Sequence, residues 1–191
     1  MSALPGTTGR RRIYLMRHGF VDYTSEAVRM ARDPSVATLT PAGEQEALAA
    51  GVALSDVHFD LAICTGLIRT RQTAEIVLAQ HPNAPVLEEE PRFGELRSGQ
   101  YIDFKSAEHL AATMTFLFEQ AGEPDACFLP GGEKFADALD RILEGLSDLL
   151  TRPDWASALV VAHEVVNRMV LASVVGAPLG ASAGSNRIQA A

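Results

Sequence analysis

Three short stretches of the sequence place arginine and histidine where they could bind and attack a phosphoryl group. Arg17 and His18 stand together in LMRHG, Arg69 stands in TGLIRT, and His163 stands in VVAHE. A guanidinium presents a planar fork of donors that matches phosphate oxygens. A neutral imidazole nitrogen can accept a phosphoryl group directly, and cations around it would stabilise the transferred charge. These residue types therefore suit phosphoryl transfer.

The elements that must position these residues alternate between strands and helices. Apolar runs predict strands at 12–16, 60–64 and 157–162, with shorter strand material near 84–89. Of these, 12–16 is predicted as a buried strand and 157–162 as the central one. Helical segments separate them, at 40–55, 65–80, 103–121, 133–151 and 164–175. This alternation predicts an α/β fold with a mainly parallel sheet.

Two of the predicted helices have a recognisable beginning. Thr40 is followed by Pro41, a pairing typical of a helix N-cap and the first helical residue. Thr65 is predicted to begin the next helix. The first of these helices continues as an Ala-rich run, which favours helix.

Polar residues follow the predicted strands at the point where each strand ends. Because ligands of parallel sheets bind beyond the carboxyl ends of the strands, these residues are expected to share one site. A lone histidine is more often structural than catalytic, and a lone arginine is more often a solvated charge. Repetition at three strand ends favours the functional interpretation. The ends carry, in chain order, the triplet Arg17-His18-Gly19, the pair Thr65 and Arg69, and His163.

The composition is that of an ordinary globular domain with an acidic surface. The formal net charge of -8 argues against a nucleic-acid or anionic-membrane partner, although a pocket needs only local positive charge to bind a small anion. Cys64 and Cys127 are too few for a disulfide framework and lack metal-ligand spacing. The start MSALPGTTGRRR has no apolar core of a signal peptide, and no apolar run is long enough to span a bilayer. We expect a cytoplasmic protein.

Five sequence blocks, in order over residues 13–176, resemble the histidine phosphatase superfamily, also called the phosphoglycerate-mutase-like family. LMRHG (15–19) is similar to its Arg-His-Gly signature, and CTGLIRTRQTAEI (64–76) to its Ser-Pro-Leu-x-Arg-Ala-x-x-Thr-Ala block. The other blocks are FGELRSGQY (93–101), LPGGEKFADALDR (129–141) and LVVAHEVVNRMV (159–170). One Arg-His-Gly alone is a weak signal, whereas five ordered blocks are specific. The resemblance implies a three-layer sandwich, with helices on both faces of the central sheet.

The resemblance also implies roles for individual residues. His18 would be the phosphorylated nucleophile, Glu95 the proton donor and His163 the second catalytic histidine. Arg17, Arg69 and His163 would hold the phosphoryl oxygens. No metal or other cofactor is expected, because arginine side chains supply the positive charge. Further candidates for the pocket are Gly19, Thr65 and Glu164.

Glu95 is a candidate only through the resemblance. By residue type it would be assigned to the surface, and a general acid at neutral pH needs a pKa above the ordinary value of about 4.3. Glu88, Glu89 and Glu90 are rival carboxylates. Their run is more typical of a solvated strand edge.

Several positions depart from the family pattern. Glu164 stands where the family usually has glycine, which sets a carboxylate beside His163. It could hold substrate, raise the pKa of that histidine, or point away. Phe20, Val21 and Thr24 replace common polar residues that often line the pocket.

These observations predict a metal-independent phosphomonoester hydrolase that acts on a small phosphorylated metabolite through a phosphohistidine. One catalytic domain is expected at 11–178, with a cap or insert at about 100–130, a flexible arm at 1–10 and a tail at 179–191. Two alternatives stay open. One is a phosphoglycerate-type mutase, although mutases of this family are generally longer. The other is a non-catalytic phospho-ligand binding module of the same fold, and the oligomeric state is unknown.

Overall fold

The computed structural model describes residues 10–123 and 125–177, apart from the side chains of residues 107, 118 and 119. The tail predicted at 179–191 and all but the last residue of the arm predicted at 1–10 lie outside the described residues. The strands are β1 (Arg12–Arg17), β2 (Leu61–Cys64), β3 (Leu87–Glu89) and β4 (Ser157–Ala162). The helices are α1 (Glu26–Ala31), α2 (Pro41–Ala53), α3 (Ile68–Leu78), α4 (Ala107–Gln120), α5 (Phe135–Thr151) and α6 (Glu164–Val174).

The described strands form one parallel sheet in the order β1-β4-β2-β3. In the register of this sheet Arg17 lies opposite Ala162, and Cys64 lies opposite Val161. The carboxyl ends of β1, β4 and β2 are therefore neighbours. The prediction of a mainly parallel α/β sheet, with 157–162 at its centre, is confirmed.

Alternate residues of β4 pack against different helices, because successive side chains of a strand point to opposite faces. Ala158 and Val160 belong to a core cluster with side chains of α5 and α6, such as Ile142. Leu159 and Val161 belong to a second cluster with side chains of α2 and α3, such as Val77. Helices therefore cover both faces of the sheet, which confirms the three-layer sandwich.

Helix α2 begins as predicted, whereas helix α3 does not. The Gly43 amide donates to Thr40 Oγ1 over 3.1 Å, so Thr40 is the N-cap and Pro41 the first helical residue. Helix α3 begins later, at Ile68, and Leu67 precedes it without a side-chain cap. Thr65 is not a cap because its hydroxyl lies in a different hydrogen-bond chain, described below.

Strand β1 is less buried than the sequence predicted. Its inner residues are half-buried, and Arg12 and Arg17 at its two ends are exposed. The reason is its position, since within the described sheet β1 pairs with β4 alone. Helix α1 and the short 3-10 helices at Pro34–Val36 and Pro91–Phe93 were not predicted. No helix in the described ranges is both long and apolar enough to cross a bilayer.

Candidate active site

His18 continues the β1–β4 ladder by one residue. Its amide donates to the Ala162 carbonyl over 3.1 Å, and its side chain is buried at 4% residue exposure. The next amide, that of Gly19, donates to Thr73 Oγ1 over 3.0 Å. A Cβ at Gly19 would collide with the backbone carbonyl of Gly43, so this turn requires glycine. Two backbone contacts and one hydroxyl thus fix the histidine at the end of β1.

The hydrogen bonds of His18 leave its Nε2 atom without a proton. Nδ1 lies 2.8 Å from the Gly19 carbonyl oxygen, which can only accept, so Nδ1 carries the ring proton. Nε2 therefore has a lone pair, which accepts from Arg69 Nε over 3.2 Å and from the Tyr23 hydroxyl over 3.4 Å. Burial, with help from the charges of Arg69 and Arg17, lowers the pKa of His18 to about 4. The His18 ring is consequently neutral at neutral pH.

A chain of hydroxyl groups sets the tautomer of His163. The Thr70 hydroxyl donates to the Leu67 carbonyl over 2.8 Å, so its oxygen must accept from Thr65 Oγ1, which lies 3.0 Å away. Having donated its proton, Thr65 Oγ1 accepts from His163 Nε2 over 3.0 Å. The proton of His163 therefore resides on Nε2. Its Nδ1 is buried and has no hydrogen-bond partner among the described residues.

Burial favours the neutral forms of both His163 and Glu95. The ring of His163 is fully buried and its centroid lies 5.3 Å from that of His18. Burial lowers the pKa of His163 to about 2, and the nearby arginine charges act in the same direction. Glu95 Oε2 lies 3.8 Å from His163 Nδ1. Burial raises the pKa of Glu95, although the Leu96 amide and the charge of Arg69 oppose the shift. A carboxyl group whose pKa is raised therefore lies near an unprotonated ring nitrogen.

A buried ion pair holds the segment that carries Glu95. Glu133 has a side-chain exposure of 1%, and its two oxygens accept from Arg141 Nε and Nη2 over 2.7 and 2.9 Å. The same guanidinium donates to the carbonyls of Gly94 and Glu95 over 3.0 and 3.4 Å. Glu133 also accepts from the Arg97 amide over 3.2 Å. This set of bonds ties both sides of Glu95 to the start of α5.

Glu164 forms ion pairs with arginines at the mouth of the site. Its Oε2 accepts from Arg17 over 3.0 Å, and its Oε1 accepts from Arg168 over 2.5 Å. Of the interpretations considered for Glu164, an elevated pKa of His163 does not agree with the structure, because that pKa is lowered. Glu164 does not point away either, since it lines the cavity beside the histidines.

These groups border a cavity of about 400 Å³. The predicted site residues in its lining are Arg17, His18, Arg69, Glu95 and Glu164. The other three are placed behind the wall, where Gly19 and Thr65 anchor the histidines and His163 is fully buried. In the described part of the chain no group of three or more His, Cys, Asp or Glu residues could hold a metal ion.

The sequence did not point to several residues that complete the site. Tyr23 lines the cavity and contacts His18, so it supplies a polar group near the positions where the family's polar residues are replaced. Of the replacing residues, Phe20 is half exposed and Val21 is buried in another core cluster. Glu133 and Arg141 lie in the LPGGEKFADALDR block, which was singled out without a role. Their spacing of eight residues is outside the i,i+3 and i,i+4 pairs that face each other on a helix, so the sequence carried no signal for this ion pair.

Comparisons with known proteins agree with this architecture. The chain is 30% identical over 172 residues to the protein named "Probable phosphoglycerate mutase GpmB" of Serratia proteamaculans, covering 87% of this chain and 75% of that protein. It is 28% identical over 175 residues to a 2-carboxy-D-arabinitol-1-phosphatase of Triticum aestivum, covering 91% of this chain and 34% of that protein.

A solved structure shares the fold. The alpha-ribazole phosphatase from Shigella flexneri superposes with a TM-score of 0.68 at 22% identity, covering 89% of this chain and 82% of that one. The family model described as the histidine phosphatase superfamily (branch 1) matches residues 13–186. With that match over most of its length, the chain belongs to the histidine phosphatase superfamily.

Proposed function

We propose that the protein is a metal-independent phosphatase that hydrolyses a small phosphomonoester through a phosphohistidine on His18. The observation that carries this proposal is the lone pair of His18 Nε2. It faces a cavity that also contains Arg69 and Glu95, and burial raises the pKa of Glu95. Family membership and phosphatase relatives support the general class of reaction.

The first half of the reaction transfers the phosphoryl group to the protein. The lone pair of His18 Nε2 attacks phosphorus, and Arg69 moves its donors from the ring to the phosphoryl oxygens. The ester P–O bond breaks with its electron pair on the leaving oxygen, and that oxygen takes the proton of Glu95. A substrate that arrives as the phosphate monoanion can pass its proton to His163 Nδ1, because the resulting dianion raises the pKa of that ring. The protonated ring then donates a hydrogen bond to a phosphoryl oxygen, and the departing inorganic phosphate takes the proton back.

The second half returns the site to its starting state. The Glu95 carboxylate accepts a proton from a water molecule whose oxygen attacks phosphorus. The P–N bond breaks, its electron pair returns to Nε2, and inorganic phosphate is released. Glu95 is then protonated again, so the cycle closes without a metal ion. Charge stabilisation by Arg17 and Arg69 supplies the electrostatic part of catalysis.

The mutase and binding-module alternatives fit the site less well. A mutase must hold the carboxylate of a phosphoglycerate, whereas this cavity carries the carboxylate of Glu164 near the phosphoryl site. A binding module has no need of a neutral acid beside the nucleophile. We further propose that 11–178 acts as one catalytic domain with 100–130 as its cap. The two free cysteines fit a reducing cytoplasm.

His18→Ala tests the proposed function. The folded variant should have no measurable turnover of p-nitrophenyl phosphate, because the covalent bond cannot form. Rapid quench of the wild type should trap protein-bound phosphate that is labile to acid and stable to base. His109→Ala, which changes an exposed histidine on α4, serves as the control. Substantial turnover by folded His18→Ala would overturn the proposal.

A further inference from the structure

The cavity beside His18 has a lining of two unlike parts. One part is polar and holds the groups that act on phosphate. The other is apolar and comes from α4 and the segments on either side of it. The volume of the whole cavity, about 400 Å³, falls within the range of about 300–1,000 Å³ for small-molecule pockets. The apolar part includes Ile102, Phe104, Leu110, Ala111, Met114 and Phe128.

This apolar part is larger than a phosphorylated three-carbon acid can use. The phosphoryl group of any substrate must lie at His18 and Arg69. The carboxylate and hydroxyl of a phosphoglycerate would then lie near apolar side chains such as Met114, where a charged group loses its hydration without compensation. An apolar body would instead bury its surface there favourably.

The charges around the cavity also oppose a second anionic group. Among the described lining residues the cations are three arginines, and Arg69 is committed to the phosphoryl site. Arg17 and Arg168 both pair with Glu164. A carboxylate entering here would have to displace Glu164 from them and lie beside its negative charge.

We propose that the substrate is the phosphate ester of an apolar alcohol, longer than the three-carbon body of a phosphoglycerate, that carries no second negative charge. This inference rests on the function proposed above. The apolar lining binds the alcohol, and Glu164 rejects phosphorylated acids. Glu164, which stands where the family usually has glycine, is thus a determinant of specificity.

A series of n-alkyl phosphates from ethyl to decyl tests the inference. The leaving alcohols have nearly equal pKa values, so differences in kcat/KM report binding of the chain. The expected result is a rise of about three- to fourfold per added methylene until the cavity is filled. Glycerate 3-phosphate should be slower than butyl phosphate by at least about tenfold, because of like-charge repulsion. A flat series, or a phosphoglycerate that is the better substrate, would overturn the inference.

Two neighbouring alanines of α4 provide matched variants. Both are exposed, but Ala111 lines the cavity and Ala112 does not belong to its described lining. Ala111→Asn should lower the ratio of octyl to ethyl phosphate activity by about fivefold or more, because the amide has no partner there. Ala112→Asn should leave that ratio unchanged. Equal effects of the two variants would contradict a role for this wall.

Glu164→Gln tests the charge argument separately. The amide keeps the size of the side chain and removes its negative charge, so a carboxylate of the substrate is no longer repelled at this position. Activity on glycerate 3-phosphate should rise relative to butyl phosphate. An unchanged ratio would mean that Glu164 does not select against acids.

Alkylphosphonates separate failure of this inference from failure of the proposed function. They cannot be hydrolysed, so their affinity, measured by calorimetry, reports the cavity alone. Affinity that rises with chain length supports the inference even if no ester is hydrolysed, which would overturn only the phosphatase proposal. Turnover of p-nitrophenyl phosphate with phosphonate affinity independent of length would overturn the inference and leave the phosphatase proposal in place.

Discussion

His18 and His163 each donate one ring proton to an oxygen of the protein. The ring nitrogen without a proton is Nε2 in His18 and Nδ1 in His163. His18 donates from Nδ1 to a carbonyl, which frees Nε2 for attack. His163 donates from Nε2 to Thr65, which leaves Nδ1 facing Glu95. In the proposed reaction, two side chains of the same type would thus perform different tasks, one as a nucleophile and the other as an acceptor of a proton once the phosphate is bound.

The pKa directions predict a bell-shaped pH dependence of kcat/KM. Because burial lowers the pKa of His18 to about 4, activity should rise as the pH increases through that value and the ring loses its proton. Because burial raises the pKa of Glu95, activity should fall on the alkaline side as the acid loses its proton.

Glu95→Gln should reveal which limb belongs to the acid. An alkoxide leaving group needs a proton, so alkyl phosphates should be slowed by about 10²–10⁴. The nitrophenolate needs little help, so p-nitrophenyl phosphate should be affected far less. The alkaline limb for alkyl phosphates should disappear. Glu89→Gln, on the exposed edge strand, is the control. Equal losses on both substrates would show that Glu95 only positions the phosphate.

Thr65→Val tests the hydroxyl chain. Valine has nearly the same shape but cannot accept from His163 Nε2, so a buried N–H loses its partner and the imidazolium is harder to form. A loss of about 1–3 kcal/mol corresponds to at least about fivefold weaker binding of vanadate and lower kcat/KM. Thr65→Ser keeps the acceptor and should restore both. If serine behaves like valine, the role of Thr65 is packing.

The sequence predicted the residue types of the site better than their protonation. Strand ends placed His18, Arg69 and His163 at one edge, and the structure brings them together there. The sequence could not show that the Thr65 hydroxyl bonds to Thr70 and His163 and does not cap α3, because His163 follows a strand that is distant in the sequence. Tyr23 escaped notice because nothing in its local sequence distinguishes a pocket tyrosine from a core one.

At the scale of elements, Glu133 and Arg141 connect the start of α5 to the loop that carries Glu95. Gly99 and Gly131 in these two segments both have positive φ, at 66° and 72°. A Cβ at Gly99 would collide with the backbone of Gly131, so the two segments approach as closely as backbone allows. Helix α5 therefore positions the acid although it contributes no group to the chemistry.

Glu133→Gln should destabilise the protein at neutral pH. Removing one charge of a buried pair leaves Arg141 without its counter-charge, and we expect a loss of roughly 3 kcal/mol in the free energy of unfolding. This is the low end of the usual range because Arg97, the other partner, has a side chain that is 77% exposed. Asp125→Asn breaks an exposed ion pair with Lys134 and should have a much smaller effect, because solvent screens exposed charges. Urea unfolding measures both.

The stabilisation from Glu133 should also depend on pH. Burial alone would raise the pKa of Glu133, but the hydrogen bonds from Arg141 and the Arg97 amide outweigh it and the pKa is lowered. A lowered folded-state pKa means that the stabilisation is complete above the unfolded-state value of about 4.3 and is lost as the pH falls below it. The difference between wild type and Glu133→Gln should therefore shrink in acid. A difference that is constant with pH would exclude the ion pair as its cause.

Element prediction was most accurate where signals were local. Strand β4 was predicted at its observed bounds because it is a continuous apolar run, and α2 because Thr40 and Pro41 mark its start. Helix α1 is only six residues long and is held by packing of Val28, which leaves little periodicity to detect. Burial of β1 was overestimated because the strand lies at an edge of the described sheet, and the order of strands cannot be read from the residues of one strand.

At the scale of the whole molecule, the parallel sheet explains why residues from three distant strands meet. Strand β4 is central and lies between β1 and β2, so the ends that carry His18, Thr65 and His163 are adjacent. The rule that ligands bind beyond the carboxyl ends of parallel strands was sufficient to predict this edge. It could not predict the shape or polarity of the cavity above it, which depends on how α4 packs.

The pairing of β1 with β4 also determines when in folding the site can exist. Among the described strands it joins the first in the sequence to the last, so the chain must close the long loop between them before His18 and His163 meet. Trp155, the single tryptophan, is buried beside the start of β4, and the Arg11 guanidinium lies 4.6 Å above its ring. Its fluorescence therefore reports the closure. During refolding, phosphate release should return with the same rate constant as the tryptophan signal, since catalysis is among the last properties that this chain acquires.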